Sequence, residues 1–402
     1  MEPYVIVGAS LAGAKAAEAL RAEGHTGPIE LIGEEPDLPY ERPPLSKGYL
    51  QGKTPRAEFE VHPADWYAAN DVTLRLGTAV TAIDPDGHTV TLADGGRVGF
   101  AKLLLATGAS PRPLPVPGGD RPEVLKLRRV GDSERIRAQF TPGARIVIVG
   151  AGWIGLETAA AARLAGAQVT VLEVAELPLL RVLGREVAQV FADLHRAHGV
   201  DLRFGVKVAA VEDGGVRLAD GTLVPADTVV VGVGITPNTR LAEAAGLTVE
   251  NGVRTDEHLR TSHPDVFAAG DVANAFHPLF GKPIRVEHWA NALNQPATAA
   301  KSMLGQDAVY HRVPYFFTDQ YDLGMEYTGY AEPEGYDEVV FRGDVPGREF
   351  IAFWMSGGRV LAGMNVNVWD VVDPIRDLVR SGRPVDTARL ADTGVPLAEL
   401  AG

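Results

Sequence analysis

Two copies of a glycine-rich turn constrain the fold of this chain more than any other feature. The first copy, GASLAG from Gly8 to Gly13, follows the apolar run YVIV, and the second, GAGWIG from Gly150 to Gly155, follows IVIV. An alanine-rich stretch and a second apolar run come after each copy. A strand, a tight turn, a helix and another strand make a βαβ unit. The sequence therefore predicts two such units, each in a parallel sheet that is covered on both faces.

Such a turn suits the pyrophosphate of a dinucleotide. Its first glycine allows the tight bend, its second lets the backbone approach the phosphates, and its third lets helix and strand pack closely. The N-terminus of the helix then offers unpaired N–H groups to the anion. Two copies predict two dinucleotides, most simply a flavin and a nicotinamide.

The second copy meets every condition for a nicotinamide dinucleotide. Glu173 ends the following strand, where a carboxylate can hold both ribose hydroxyls and repel a 2′-phosphate. Val174 and Ala175 supply no cation for that phosphate, so we predict NADH rather than NADPH. The alternative is that Glu173 is an ordinary surface acid. The predicted contacts of this site are Gly150, Gly152, Trp153, Ile154, Gly155, Glu173 and Gly234.

The first copy departs from the pattern because Ser10 replaces its second glycine. Serine is small enough for close approach, and its hydroxyl can donate to a phosphate. Glu34 is the candidate ribose acid, and Glu35 is its rival. The predicted contacts in this region are Gly8, Ser10, Leu11, Ala12, Gly13 and Glu34.

Composition excludes several kinds of chemistry. The 402 residues include no cysteine, so disulfides, thiolate metal sites and cysteine-ligated clusters are excluded. The 10 histidines show no ligand spacing, and no metal is predicted. His195 and His198 are three positions apart on a predicted helix, but their neighbours are polar, so we expect a solvated helix face. The net charge of −14 disfavours nucleic acid and anionic membranes as partners.

The chain shows no segment that would direct it to or across a membrane. No apolar run reaches the roughly 18 residues that a membrane helix needs. The first strand is predicted from about residue 4, which leaves no room for a signal peptide, and we expect a cytoplasmic protein. From about residue 310 aromatic residues cluster, and a last helix is predicted from Val371 to Arg380. We interpret this region as a small α+β domain.

Four segments resemble the motifs of a known family. These are PYERPPLSK at 39–47, ATGASPR at 106–112, VFAAGDVA at 266–273 and VEHWANA at 286–292. They are similar to motifs of the FAD-dependent NADH:ferredoxin reductases, of the putidaredoxin reductase and aromatic-dioxygenase type, which are related to apoptosis-inducing factor.

The resemblance implies an α/β fold with two Rossmann-like domains of the glutathione-reductase type and a small α+β C-terminal domain. An FAD domain would comprise residues 1–110 and 238–310, an NADH domain residues 111–237, and the C-terminal domain residues 311–402.

The same resemblance implies roles for individual residues. Lys47 would lie beside flavin N5 and face Glu157, which would contact the nicotinamide amide; these are the two predicted catalytic residues. Asp271 would bind the ribityl chain, Trp289 would contact the isoalloxazine, and Phe317 stands where many relatives have tryptophan. The other implied flavin contacts are Arg42, Val80, Ala106, Thr107, Gly108, Arg128, Gly270, Glu287 and His288, with Arg129 as the rival of Arg128. From the residues alone, Glu157 could be an ordinary first-turn helix acid and Asp271 a turn residue.

The implied activity is hydride transfer from NADH to FAD, followed by single-electron transfer to a 2Fe-2S ferredoxin. That ferredoxin would serve a haem monooxygenase or a ring-hydroxylating dioxygenase. Two alternatives stay open: an NADH oxidase or a reductase of rubredoxin or quinone, and an NADH-gated redox binding protein. We expect a monomer or a weak homodimer. Because ferredoxins of this kind are acidic, docking would need local cations, for which the candidates are Lys282, Arg285, Lys301, His311, Arg312, Arg376, Arg380 and Arg383.

Overall fold

The chain forms two compact units, each built from separate segments. The computed structural model describes residues 2–401. The first unit comprises Met1–Arg42, Pro55–Ser110 and Thr236–Arg312, and the second comprises Pro43–Thr54, Pro111–Ile235 and Val313–Gly402. The three-domain division stays a prediction.

The strands, in chain order, are β1 Tyr4–Val7, β2 Ile29–Ile32, β3 Val72–Arg75, β4 Val80–Asp84, β5 Thr89–Leu92, β6 Arg97–Gly99, β7 Lys102–Leu105, β8 Ala109–Pro111, β9 Val124–Lys126, β10 Arg145–Val149, β11 Gln168–Leu172, β12 Asp201–Arg203, β13 Val208–Glu212, β14 Gly215–Leu218, β15 Leu223–Pro225, β16 Thr228–Val231, β17 Ile235–Pro237, β18 Val253–Thr255, β19 Val266–Ala268, β20 Ala273–His277, β21 Lys282–Ile284, β22 Tyr315–Gln320, β23 Leu323–Gly329, β24 Glu338–Asp344, β25 Glu349–Ser356 and β26 Arg359–Val366.

The helices are α1 Leu11–Ala22, α2 Ala64–Ala69, α3 Val130–Arg137, α4 Trp153–Leu164, α5 Leu180–Ala197, α6 Arg240–Ala244, α7 Trp289–Met303, α8 Val372–Ser381 and α9 Thr387–Ala391. Short 3-10 turns occupy Pro43–Ser46, Arg56–Phe59 and Leu397–Leu400. Among residues 2–401, no helix is both long enough and apolar enough to cross a membrane.

The first unit contains a parallel sheet in the order β19-β7-β1-β2-β3. Val5 lies between Glu30 of β2 and Leu103 of β7. The β-branched residues of β1 are almost fully buried, as a strand covered on both faces requires. Helix α1 follows β1 directly and packs against α7 over this sheet. The first predicted βαβ unit is therefore confirmed.

The second unit contains two five-stranded sheets. One is parallel, in the order β12-β11-β10-β16-β9, and confirms the second βαβ unit. The other is antiparallel, in the order β22-β23-β26-β25-β24, and carries α8 on one face. A single apolar cluster that includes Ile148, Phe191 and Trp354 extends from one sheet to the other. The C-terminal sheet thus shares a core with the second glycine turn.

The structure contradicts the expectation for His195. Its side chain is completely buried, whereas we expected a solvated helix face. His195 follows Val187 and Phe191 at intervals of four on α5, and all three side chains are buried. Residues four apart lie on the same face of a helix, so the polar neighbours of His195 point elsewhere. His198 is half-buried, and its ring stacks on Tyr321.

Candidate active site

The glycine turn of the first unit has the shape that a pyrophosphate requires. Gly8 has φ +116°, and a Cβ on it would lie 2.1 Å from the Ala106 carbonyl oxygen. A Cβ on Gly13 would lie 2.0 Å from the Gly8 carbonyl oxygen. Ser10 is the N-cap of α1, and its side chain makes no capping hydrogen bond. The turn is therefore closed to larger residues at both glycines, while the start of the helix can receive an anion.

The two acids after β2 differ in their surroundings. Glu35 accepts hydrogen bonds from the Tyr40 hydroxyl at 2.5 Å and from Nη2 of Arg42 at 2.7 Å. Arg42 also interacts electrostatically with Asp271. Glu34 is exposed at the end of β2. The exposed position of Glu34 is compatible with the predicted contact to a ribose, and Glu35 holds Arg42.

Several other predicted flavin contacts follow strands of the same sheet. The Ala106–Gly108 segment follows β7, and Gly270 and Asp271 come just after β19. Carboxyl ends of parallel strands meet at one edge of a sheet, which is where open α/β folds bind their ligands. Side-chain contacts fix these segments: Oγ1 of Thr107 donates to the Asn238 carbonyl oxygen at 3.0 Å, and the Gly270 amide donates to Oε1 of Gln295 at 2.8 Å.

The VEHWANA segment leads into α7 in the same unit. His288 is the N-cap of α7, and burial lowers its pKa to about 4. Nε1 of Trp289 donates to Oε2 of Glu41 at 3.0 Å. Glu287 pairs with Arg285, whose side chain is only 9% exposed, so Arg285 is not a surface cation for docking. Val80 begins β4 and packs against the core.

The glycine turn of the second unit repeats the geometry of the first. A Cβ on Gly150 would lie 2.4 Å from the Gly232 carbonyl oxygen, and one on Gly155 would lie 2.1 Å from the Gly150 carbonyl oxygen. Gly152 is the exposed N-cap of α4, and a Cβ on it would meet no atom within 4 Å. The two positions where a Cβ would clash, Gly150 and Gly155, therefore lie inside the fold, whereas Gly152 faces away from it.

Glu173 is held in place at the end of β11. Its carboxylate accepts a hydrogen bond from the Ala151 amide at 2.7 Å and another from the Ala175 amide at 2.9 Å. A carboxylate has about four acceptor positions, so two stay available for ribose hydroxyls. Ile154 is 43% exposed, and Gly234 is exposed after β16. Trp153 instead contacts Phe191 and Phe316 edge-on, as a core residue does.

Lys47 and Glu157 form a buried ion pair in the second unit. Nζ of Lys47 lies 2.6 Å from Oε1 of Glu157, and their side chains are 15% and 3% exposed. Nζ is also 5.2 Å from the centre of the Phe317 ring. Lys47 follows the 3-10 turn Pro43–Ser46, which packs on α4 and α3. The structure therefore brings together Lys47, Glu157 and Phe317, which the sequence could relate only through the resemblance.

Two further donors to Glu157 were missed by the sequence analysis. The Ser46 hydroxyl donates to Oε2, and the Thr318 hydroxyl donates to Oε1 at 2.5 Å. Ser46 lies within the PYERPPLSK motif and Thr318 follows Phe317, but neither shows a signal of its own in the sequence. Arg128 lies in the same unit, where its backbone amide donates to Asp132 on α3. No group of three or more His, Asp or Glu side chains within residues 2–401 is placed to hold a metal ion.

Two family models match the chain. The first, pyridine nucleotide-disulphide oxidoreductase, matches residues 2–296, and the second, reductase C-terminal, matches residues 315–401. The chain belongs to the pyridine nucleotide-disulphide oxidoreductase family. It is therefore an oxidoreductase, and the two glycine turns fit the FAD and the nicotinamide dinucleotide that this family binds.

Named relatives match over nearly the whole chain. Putidaredoxin reductase of Pseudomonas putida is 39% identical over 98% of this chain and 96% of its own length. The ferredoxin–NAD(+) reductase component of the anthranilate 1,2-dioxygenase system of Burkholderia cepacia is 41% identical over 98% of both. A crystal structure of the covalent putidaredoxin reductase–putidaredoxin complex matches with a TM-score of 0.95, 39% identity, and coverage of 99% of this chain and 98% of the other. The α/β fold with a reductase C-terminal region is thus confirmed.

Proposed function

We propose that this protein is an NADH-dependent ferredoxin reductase. The observation that carries the proposal is its full-length likeness to ferredoxin reductases, combined with the lack of any cysteine among its 402 residues. Members of a disulphide oxidoreductase family can pass electrons to a redox-active sulfur, and this chain has no thiol for that purpose. An acceptor outside the chain is therefore required, and a 2Fe-2S ferredoxin fits the named relatives.

The residues of the second unit bind and orient NADH in this proposal. The N-terminus of α4 faces the pyrophosphate, and the open position at Gly152 leaves room for it. Glu173 holds the adenosine ribose and disfavours a 2′-phosphate by charge repulsion. Glu157 contacts the carboxamide of the nicotinamide and orients its ring. These contacts align the donor and contribute proximity rather than chemistry of their own.

The residues of the first unit hold the flavin. Ser10 and the start of α1 bind its pyrophosphate, Glu34 its adenosine ribose and Asp271 its ribityl chain. When bound, FAD supplies the chemistry that accepts a hydride from NADH and returns its electrons one at a time. In the second unit, Lys47 is the proposed cation that balances the negative charge created by reduction, and Glu157 keeps its ammonium in position.

The remaining parts of the proposal concern the domains and the partners. Residues 1–110 and 238–310 act as the FAD domain, residues 111–237 as the NADH domain and residues 311–402 as the C-terminal domain. The reduced ferredoxin serves a haem monooxygenase or a ring-hydroxylating dioxygenase. The enzyme works as a monomer or a weak homodimer, which sedimentation of the FAD-loaded protein would measure.

Anaerobic rapid mixing tests this proposal. The FAD-loaded protein is mixed with NADH, the bleaching of the flavin is recorded, and a 2Fe-2S ferredoxin is then added. We expect fast bleaching and reduction of the ferredoxin. Full turnover with oxygen alone would identify an oxidase instead. Slow bleaching with an NADH-dependent change in molecular size would identify a redox-gated binding protein.

A further inference from the structure

A line of buried polar side chains leads away from Glu157 inside the second unit. The Thr318 hydroxyl donates to Oε1 of Glu157 at 2.5 Å, and Nε2 of Gln320 donates to Oγ1 of Thr318 at 3.2 Å. Oε1 of Gln320 lies 2.8 Å from Nε2 of His195. None of the four side chains is more than 3% exposed. The mechanism described above uses only the first of them.

The local structure explains how these groups come into line. Thr318 and Gln320 are two positions apart on β22, so both point to the same face as the buried Phe316. Helix α5 places His195 opposite Gln320. Apolar side chains would fill this face without the cost of burying polar groups. Instead, His195, Gln320 and Thr318 are polar, and each is hydrogen-bonded to the next. Thr318 is in turn hydrogen-bonded to Glu157, the partner of Lys47 in the ion pair.

The chemistry of the groups fixes the direction of every hydrogen bond. The ionised carboxylate of Glu157 can only accept, so the single hydroxyl proton of Thr318 points to it. Oγ1 of Thr318 then accepts from the amide of Gln320, which turns the Gln320 oxygen toward His195. His195 must therefore carry its proton on Nε2. The Tyr321 hydroxyl lies 3.5 Å from the other ring nitrogen, Nδ1.

We propose that Thr318, Gln320 and His195 are positioning residues that orient the Glu157 carboxylate toward Lys47 and toward bound NADH. The expected effect on flavin reduction rests on the proposed function, whereas the order of the hydrogen bonds rests on the structure alone. The tautomer of His195 therefore reports on the hydrogen bond between Thr318 and Glu157, although His195 contacts neither Lys47 nor Glu157.

The burial of His195 agrees with this role. Burial lowers its pKa to about 4, so the ring is neutral at physiological pH and has one N–H to place. A neutral imidazole has two tautomers, and its hydrogen-bond partners select between them. Gln320 selects the Nε2-protonated form only while Thr318 accepts from its amide nitrogen.

The first experiment reads the His195 tautomer by 15N NMR of the FAD-loaded protein with labelled histidine. His195→Gln assigns the signal. We expect the Nε2-protonated form in the natural protein and in Thr318→Ser, which keeps the hydroxyl. In Thr318→Val the Gln320 amide has no acceptor, so we expect a mixture of tautomers. Thr328→Val is the matched control, because Thr328 is also buried in this sheet and its hydroxyl makes no hydrogen bond among the described residues.

The second experiment measures flavin reduction by NADH in the same variants. We expect Thr318→Val to lower the limiting rate constant about tenfold. The dissociation constant for NADH should change less than about twofold, because Glu173 and the glycine turn are untouched. Thr318→Ser should restore the rate, and His195→Gln, which can still present an N–H, should retain more of it than His195→Leu.

The proposal is overturned if Thr318→Val leaves the His195 tautomer unchanged, or if Thr328→Val shifts the tautomer or the rate as much. Neither experiment needs ferredoxin. A natural protein that fails to reduce any 2Fe-2S ferredoxin would therefore refute the proposed function, while the NMR result would still decide whether the line orders His195.

Discussion

Among single residues, Glu157 has the surroundings that say most about the site. Its carboxylate is 3% exposed and accepts hydrogen bonds from Ser46, Lys47 and Thr318. A buried carboxylate stays ionised only when it is paired and hydrogen-bonded. The sequence left open whether this acid was an ordinary helix residue. Its contacts join segments far apart in the chain, and no local pattern in the sequence contains them.

Breaking the ion pair should cost stability. Lys47→Met removes the cation and leaves Glu157 buried with only hydroxyl donors, so we expect the free energy of unfolding to fall by about 3 kcal/mol. The double variant Lys47→Met with Glu157→Leu removes both charges and should recover at least half of that loss. Urea unfolding of the FAD-loaded proteins measures both effects. A double variant less stable than Lys47→Met would contradict this account.

Glu173 should control the choice between NADH and NADPH. Glu173→Ala removes the carboxylate that we propose faces the ribose, so we expect the preference for NADH to fall about tenfold, the equivalent of 1.4 kcal/mol. Titration of the oxidised protein with NAD+ and NADP+ measures the two dissociation constants. Glu176→Ala is the control, since Glu176 is exposed and pairs with Arg185. An unchanged ratio in Glu173→Ala would refute the assignment.

At the level of elements, the sequence predicted individual strands, turns and helices well and the contacts between them poorly. The strand, turn and helix at Gly8 and at Gly150 were found because their signals are contiguous. The contacts of the Thr318 hydroxyl and of the His195 imidazole were not predicted, because each has its partner on another element. Periodicity along α5, rather than the polarity of adjacent residues, would have shown that His195 is buried.

Substitutions at two glycines of the second turn should affect folding and NADH binding separately. A Cβ on Gly155 would lie 2.1 Å from the Gly150 carbonyl oxygen and press on it, so Gly155→Ala should lower the free energy of unfolding by about 2 kcal/mol. Gly152→Ala meets no protein atom within 4 Å and should leave unfolding within about 0.5 kcal/mol of the natural value. It should instead weaken NADH binding, because its methyl enters the space that we propose for the pyrophosphate. Thermal unfolding and NADH titration distinguish the two variants, and equal losses of stability would count against this division.

Across the whole molecule, a net charge of −14 opposes docking of an acidic ferredoxin. Arg380 lies exposed in the last turn of α8 and can offset this repulsion locally. We expect Arg380→Glu to slow ferredoxin reduction about tenfold at low salt, less at high salt, and to leave ferricyanide reduction unchanged. Arg185→Glu on α5 is the control for a general charge effect. Equal slowing by the two variants would rule out a docking role for Arg380.

Stability of the whole molecule should fall in mild acid. Burial lowers the pKa of His195 to about 4, so between pH 6.5 and 4 the unfolded chain binds a proton that the folded chain excludes. Stability therefore decreases as the pH falls through this window, by up to about 3 kcal/mol for His195 alone. His288 acts in the same direction. Urea unfolding at several pH values should show a shallower decline in His195→Gln, and parallel curves would contradict this origin.

The interleaved segments of the second unit have a consequence for biosynthesis. Ser46 and Lys47 are synthesised before Glu157, and Thr318 comes from the third segment of that unit. Contacts between such distant positions form late and slowly. The acid of the ion pair therefore gains its full set of donors only after the third of these segments has been synthesised. A chain that ends before β22 keeps both glycine turns but lacks the strand that carries Thr318, so its Glu157 lacks one of its donors.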